Sequence, residues 1–193
     1  MRFTLRTIWI PLAGVFLAIS AASAQPAAPP ARQAPEVPYL PTTQAGVEAM
    51  LKLAQVTDKD VVYDLGCGDG RIVITAAKLY GARGVGIDID PQRIREANEN
   101  AKKAGVEHLV RFEENDLFKA NIREATVVTL FLLTSVNARL RPKLLDELRV
   151  GTRVVSNTFD MGDWKPEKEF TVDSGDDGYF SKKLYLWTIP LRR

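Results

Sequence analysis

The sequence predicts an α/β domain, a doubly wound and mostly parallel sheet that ends in an antiparallel hairpin. Three observations carry this. The apolar run Val61–Leu65 ends in an acid and a leucine, then meets Gly66-Cys67-Gly68-Asp69-Gly70, and a helical pattern follows from Ile72 to Leu79. Strand-like runs then alternate with segments of helical period as far as Leu148, which is how parallel βαβ units read. Beyond residue 167 the pattern changes to two alternating stretches, 168–172 and 180–189, with Ser174-Gly-Asp-Asp-Gly178 between them. That is a hairpin signal.

The ends and the composition set the frame. Arg2 and Arg6, an apolar core from Ile8 to Ile19 and an Ala22-Ser-Ala24 ending match a secretory signal peptide over 1–24, or an uncleaved anchor. Residues 25–37 are rich in Pro and Ala and read as an extended linker, so the folded domain is expected over 38–193. Without Arg2 and Arg6 the basic residues fall from 26 to 24, matching the 24 acidic ones. Such a balance argues against a nucleic-acid partner. One cysteine, Cys67, and one histidine, His108, provide neither an intrachain disulfide nor a Cys/His metal cluster. Cys67 reads as a small filler under the glycine loop and His108 as a solvated surface residue.

Along the domain, Pro38-Tyr-Leu-Pro-Thr42 is a stiff extended entry. Thr42 or Thr43 caps a helix expected to run to Val56, with Val47, Met50, Leu51 and Ala54 on one face. Gly84-Val-Gly-Ile-Asp88 is the second strand. Asp90 and Pro91 start the next helix, whose inner stripe is Ile94, Ala97, Ala101 and Ala104, and Gly105 ends it. Leu109–Glu113 is the third strand. Ala125–Leu133 is apolar nearly throughout and reads as a strand buried on both faces. Thr134 or Ser135 is expected to cap the helix that runs to Leu148. Gly151–Phe159 is the fifth strand, and Phe159, Met161 and Trp164 cluster just after it.

The chemistry concentrates at the carboxyl ends of these strands. Gly66, Gly68 and Gly70 lack the Cβ atoms that would keep a ligand away from the backbone. They are not the dinucleotide fingerprint G-x-G-x-x-G, because Arg71 stands where its third glycine belongs. Asp64, just ahead of the turn, would repel a pyrophosphate and attract an ammonium group. Asp88, ending the second strand, is placed to accept hydrogen bonds from ribose hydroxyls. Ile89 can floor an adenine. A cationic amino-acid nucleoside satisfies all of these, and S-adenosylmethionine is one. An NAD(P)-linked oxidoreductase is the disfavoured alternative, since Asp64 and the missing glycine count against it.

Asp64-Leu-Gly-Cys-Gly-Asp-Gly-Arg-Ile, Gly84-Val-Gly-Ile-Asp88 and Asn115-Asp116-Leu117-Phe118 resemble successive cofactor motifs of class I, seven-stranded S-adenosylmethionine-dependent methyltransferases. Pro38-Tyr39-Leu-Pro-Thr, Gly-Asp-Gly-Arg-Ile and Phe159…Trp164-Lys-Pro166 are similar to a narrower group, the protein-lysine methyltransferases related to those acting on the ATP synthase c-subunit and the adenine nucleotide translocase. The resemblance implies a Rossmann-like seven-stranded sheet, S-adenosylmethionine as methyl donor and a protein lysine as acceptor. It implies cofactor contacts at Asp64, Gly66, Cys67, Gly68, Gly70, Asp88 and Ile89. Asp116 would meet the adenine amino group and the Leu117 backbone N–H a ring nitrogen. Acceptor-side candidates are Tyr39, Asn137, Asp160 and Trp164. An export signal also allows a second reading, a module that binds S-adenosylmethionine without catalysis, since the cofactor is made in the cytoplasm.

Overall fold

The computed structural model describes residues 37–172 and 183–191. The expected signal peptide, almost all of the linker and the Ser174–Gly178 turn lie outside the described residues.

Four helices and seven strands follow one another as α1 (Gln44–Leu53), β1 (Val61–Leu65), α2 (Arg71–Tyr80), β2 (Arg83–Asp88), α3 (Pro91–Ala104), β3 (Val110–Glu114), β4 (Val127–Leu130), α4 (Thr134–Glu147), β5 (Arg153–Asn157), β6 (Lys168–Thr171) and β7 (Lys183–Thr188). They form one sheet in the order β3-β2-β1-β4-β5-β7-β6. The first five strands are parallel, while β7 pairs antiparallel with both β5 and β6. The strand order reverses between β1 and β4, and ligands of open α/β sheets sit outside the carboxyl ends of the strands at such a point.

The sheet is apolar on both faces because helices cover both. Val61, Tyr63 and Leu65 of β1 pack with Val136, Leu140 and Leu144 of α4. Val62, between them, packs with Val47, Met50 and Leu51 of α1 and Val73 of α2. The rims differ from this core: β6 is exposed along its whole length, and Arg111 and Glu114 of β3 are exposed.

Element ends depart from the expected ones for local reasons. Thr43, not Thr42, caps α1 by accepting the Gly46 N–H at 3.2 Å. The Thr42 hydroxyl instead accepts from the Asn157 amide at 3.3 Å. α1 stops at Leu53, ahead of Val56, and Gln55 takes a φ of 52°. β4 ends at Leu130, so Phe131, Leu132 and Leu133 of the apolar run form a loop beyond the strand. The expected caps Thr134 and Ser135 already lie within α4; Leu133 occupies the cap and offers no side-chain hydrogen bond.

Candidate active site

The glycine loop links β1 to α2. Gly70, with φ 79°, is the left-handed cap of α2, and a Cβ there would come within 2.6 Å of the Phe112 ring. Gly68, with φ 51°, lies under Tyr39, whose ring would be 2.4 Å from an added Cβ. Both positions therefore need glycine for backbone and for space. The loop is anchored to β2: Gly66 and Cys67 donate their N–H groups to the Ile87 carbonyl at 2.8 and 3.0 Å.

Two carboxylates flank this bend. Asp88 accepts the Gly68 N–H through Oδ2 at 2.8 Å and the Asp90 N–H through Oδ1 at 2.9 Å, which joins the ends of β1 and β2. Asp64 is buried and accepts from Thr129 Oγ1 at 2.8 Å. Burial pushes its carboxyl up to about 8; the Thr129 hydrogen bond works against this, and the charges of Asp88 and Asp69 add to it. A buried acid in that condition suits a cationic partner. Burial likewise pushes the Cys67 thiol up, so Cys67 is a buried, protonated filler.

The extended entry crosses the loop as a strap. Arg71 holds it from below: its guanidinium pairs with Asp69 at 2.6 Å and donates to the Thr42 carbonyl at 2.7 Å. Burial works against ionisation of Asp69, but Arg71 outweighs it and keeps this carboxyl below its ordinary range. Arg93 lies over the Tyr39 ring, 4.5 Å from its centre. Burial and the Asp69 charge raise the Tyr39 phenol above its usual range.

A cavity of about 770 Å³ opens between strap, loop and strand ends. Tyr39, Asp64, Gly66, Cys67, Gly68, Asp88, Ile89, Asp116 and Leu117, nine of the residues singled out in the sequence, all line it. Asp116 accepts the Phe118 N–H at 2.9 Å and pairs with Lys119 at 3.4 Å. Four others do not line it. Gly70 acts one step away, by capping α2. Asn137 is buried and donates to Ser156 Oγ and the carbonyls of Phe159 and Asp160 at 3.1–3.2 Å. Asp160 accepts the Gly162 N–H at 3.1 Å. Trp164 packs on the Trp187 ring, centres 5.8 Å apart, and its carbonyl accepts from Trp187 Nε1 at 2.8 Å. The aromatic cluster after β5 is thus a packed corner.

Further walls come from side chains that no motif assigned to a contact. Phe118, Phe131, Val136 and Arg139 line the cavity on the side of β4 and α4. Arg139 lies over the Phe118 ring at 4.6 Å. Phe131 stands immediately after the last residue of β4. Arg139 lies three residues beyond Val136, one turn along the same helix face.

The residues present fit an amino-acid nucleoside: a buried acid for an ammonium, a strand-end carboxylate for hydroxyls, a side-chain-free bend, and apolar Ile89 and Leu117 for a base.

The comparisons agree with this geometry. A family model described as the ANTKMT methyltransferase domain matches residues 64–168. A protein-lysine N-methyltransferase of Saccharolobus islandicus is 48% identical over 156 residues, which are 80% of this chain and 95% of that protein. An adenine nucleotide translocase lysine N-methyltransferase of Mus musculus is 37% identical over 131 residues, which are 68% of this chain and 57% of that longer protein. A crystal structure of an RNA methyltransferase from Salinibacter ruber, in complex with S-adenosyl-L-homocysteine, is 52% identical with a TM-score of 0.75, covering 80% of this chain and 96% of that one. The glycine bend, the two strand-end acids and the seven-stranded order thus meet in one lineage: the chain belongs to the ANTKMT methyltransferase domain family of S-adenosylmethionine-dependent methyltransferases.

Proposed function

We propose that this methyltransferase acts on lysine side chains of proteins, with Asp64, Asp88, Asp116 and the backbone of Gly66–Gly68 and Leu117 holding the cofactor. The observation that carries the reading is one cavity lined both by the buried acid and the glycine bend and by the aromatic rings of Phe118 and Phe131. The cofactor, when bound, supplies a methyl group already activated on a sulfonium.

The chain's own part is to hold and to desolvate. Asp64 would receive the ammonium as a carboxylate, its proton passing to solvent. Asp88 keeps Gly68 in place while its remaining lone pairs face hydroxyls. Ile89 and Leu117 enclose the base. A lysine entering past Phe118 and Phe131 leaves water behind, and burial lowers an ammonium pKa. The neutral amine is therefore favoured where it is needed, without a dedicated strong base. Positioning then does most of the remaining work.

A second reading, an RNA acceptor, is favoured by the name of the 52% identical Salinibacter protein. Against it, cations around the mouth are engaged within the chain: Arg71 with Asp69, Arg93 with Asp90 and Glu96, Lys119 with Asp116. Phosphates would have to displace those carboxylates. Mass spectrometry of total protein and total RNA from a deletion strain against wild type decides between the two. A methyl-lysine lost from the deletion strain supports the reading; a lost methylated nucleotide overturns it. Should purified protein bind S-adenosylhomocysteine yet label neither pool, the non-catalytic alternative takes its place.

Residues 1–24 are proposed as an export signal or anchor ahead of the domain, on their basic start, apolar core and Ala-Ser-Ala ending. Fractionation with N-terminal sequencing tests this, and a cytoplasmic chain that retains Met1 and Arg2 refutes it.

A further inference from the structure

We infer that Phe131 selects the methyl acceptor and that Asn137 is a positioning residue for it, acting through Phe159. The inference rests on the reading above only in placing the acceptor beside Phe118 and Phe131.

Phe131 is half-buried and lines the cavity. The next residue, Leu132, reaches under the glycine loop, 3.1 Å from where a Gly66 Cβ would stand. Phe131 and the glycine loop thus bound the same cavity, and the orientation of the Phe131 ring sets the width left for an entering side chain. Behind it lies the Phe159 ring, with centres 6.1 Å apart and planes at 29°.

The backbone that aims Phe159 is strained. Thr158 has φ 66°, an unusual conformation for a β-branched residue. The Phe159 N–H donates across it to the Asn157 carbonyl at 2.7 Å, the pattern of the strained γ-turn. Such a turn persists only where its surroundings over-determine it. They do so here. The Phe159 carbonyl accepts from Ser156 Oγ at 2.6 Å and from Asn137 Nδ2 at 3.2 Å, and the Thr158 N–H donates to the Lys183 carbonyl at 2.7 Å.

Asn137 is the centre of that network. Its two amide hydrogens serve three acceptors, Ser156 Oγ and the carbonyls of Phe159 and Asp160. Its Oδ1 is buried with no partner among the described residues. An orphaned acceptor is costly, and a side chain present only to fill space would not carry one. Its donors hold the turn, the turn directs Phe159, and Phe159 backs Phe131.

The test uses the full chain with S-adenosylmethionine labelled in its methyl group. Total protein and total RNA from a strain lacking the gene are offered separately, and kinetics are measured on the pool that wild type labels. Labelling of RNA alone would overturn the lysine reading and still leave this inference open to the same variants. Phe131→Ala and Phe159→Ala are expected to raise the apparent acceptor KM about tenfold. S-adenosylhomocysteine affinity should stay within about twofold of wild type, and the double variant should be no worse than Phe131→Ala alone, as coupled residues behave. Asn137→Ala should repeat the Phe159→Ala pattern; if it does not fold, the two phenylalanines decide. An unchanged acceptor KM in Phe131→Ala, or effects of the two phenylalanines that multiply, overturns the inference.

Discussion

Asp64 of β1 and Thr129 of β4 face each other in register across the parallel pairing, and the threonine hydroxyl donates to the carboxyl at 2.8 Å. This hydrogen bond favours ionisation, yet burial outweighs it and the acid stays protonated up to about pH 8. The pairing at the centre of the sheet therefore holds an acid that the proposed ammonium contact would ionise.

A pH dependence follows. The folded pKa of Asp64 is raised above its ordinary value of 3.8, so its contribution to stability is full below that value and is lost as pH rises towards 8. The slope for one proton is at most about 1.4 kcal/mol per pH unit. Melting curves of ligand-free protein from pH 5 to 8 should fall more steeply for wild type than for Asp64→Asn. Affinity for S-adenosylhomocysteine should rise over the same interval and level off above it. Parallel curves for the two proteins would refute this.

Asp88→Ala removes the acceptor for two backbone N–H groups and the carboxylate facing the cavity. Titration calorimetry with S-adenosylhomocysteine should show a loss of about 1–3 kcal/mol. Wild-type affinity in the variant would remove Asp88 from the cofactor site.

Gly70→Ala should cost stability before it costs chemistry. The substitution forces φ 79° on a residue with a Cβ and drives that atom against Phe112 and Ala97. Strain and overpacking together should cost at least about 2 kcal/mol, read as a lower urea midpoint.

Trp164→Ala should separate the packed corner from the cavity. Loss of contact with Trp187 should lower stability by about 2 kcal/mol, while S-adenosylhomocysteine affinity at saturating folded protein stays at the wild-type value. Impaired binding with unchanged stability would return Trp164 to the site.

The part of the cavity proposed for the cofactor was legible in the sequence because its pieces are local. Asp64, Gly68 and Asp88 follow apolar strand runs directly, and a parallel sheet gathers strand ends onto one edge. In the part proposed for the acceptor the sequence marked the segment after β4 but not which side chains face the cavity, for two reasons. Phe131 is hidden in the apolar run Ala125–Leu133, and only the early end of β4 at Leu130 turns it from a core position into a wall. Asn137 and Trp164 carry side chains that suggest chemistry, but pairings distant in sequence, with Ser156 and Trp187, commit them to the scaffold. Caps were legible only to within a residue. Thr42 and Thr43 are equivalent on paper, and Asn157, more than a hundred positions away, claims the first of them.

The two rims of the sheet have a consequence for how molecules of this enzyme meet one another. Lys168 and Glu169 on one outermost strand, and Arg111 and Glu114 on the other, present ionised groups to water. A neighbouring polypeptide seeking to continue the ladder would have to strip hydration from those groups. Growth by strand addition is thus discouraged at both sides.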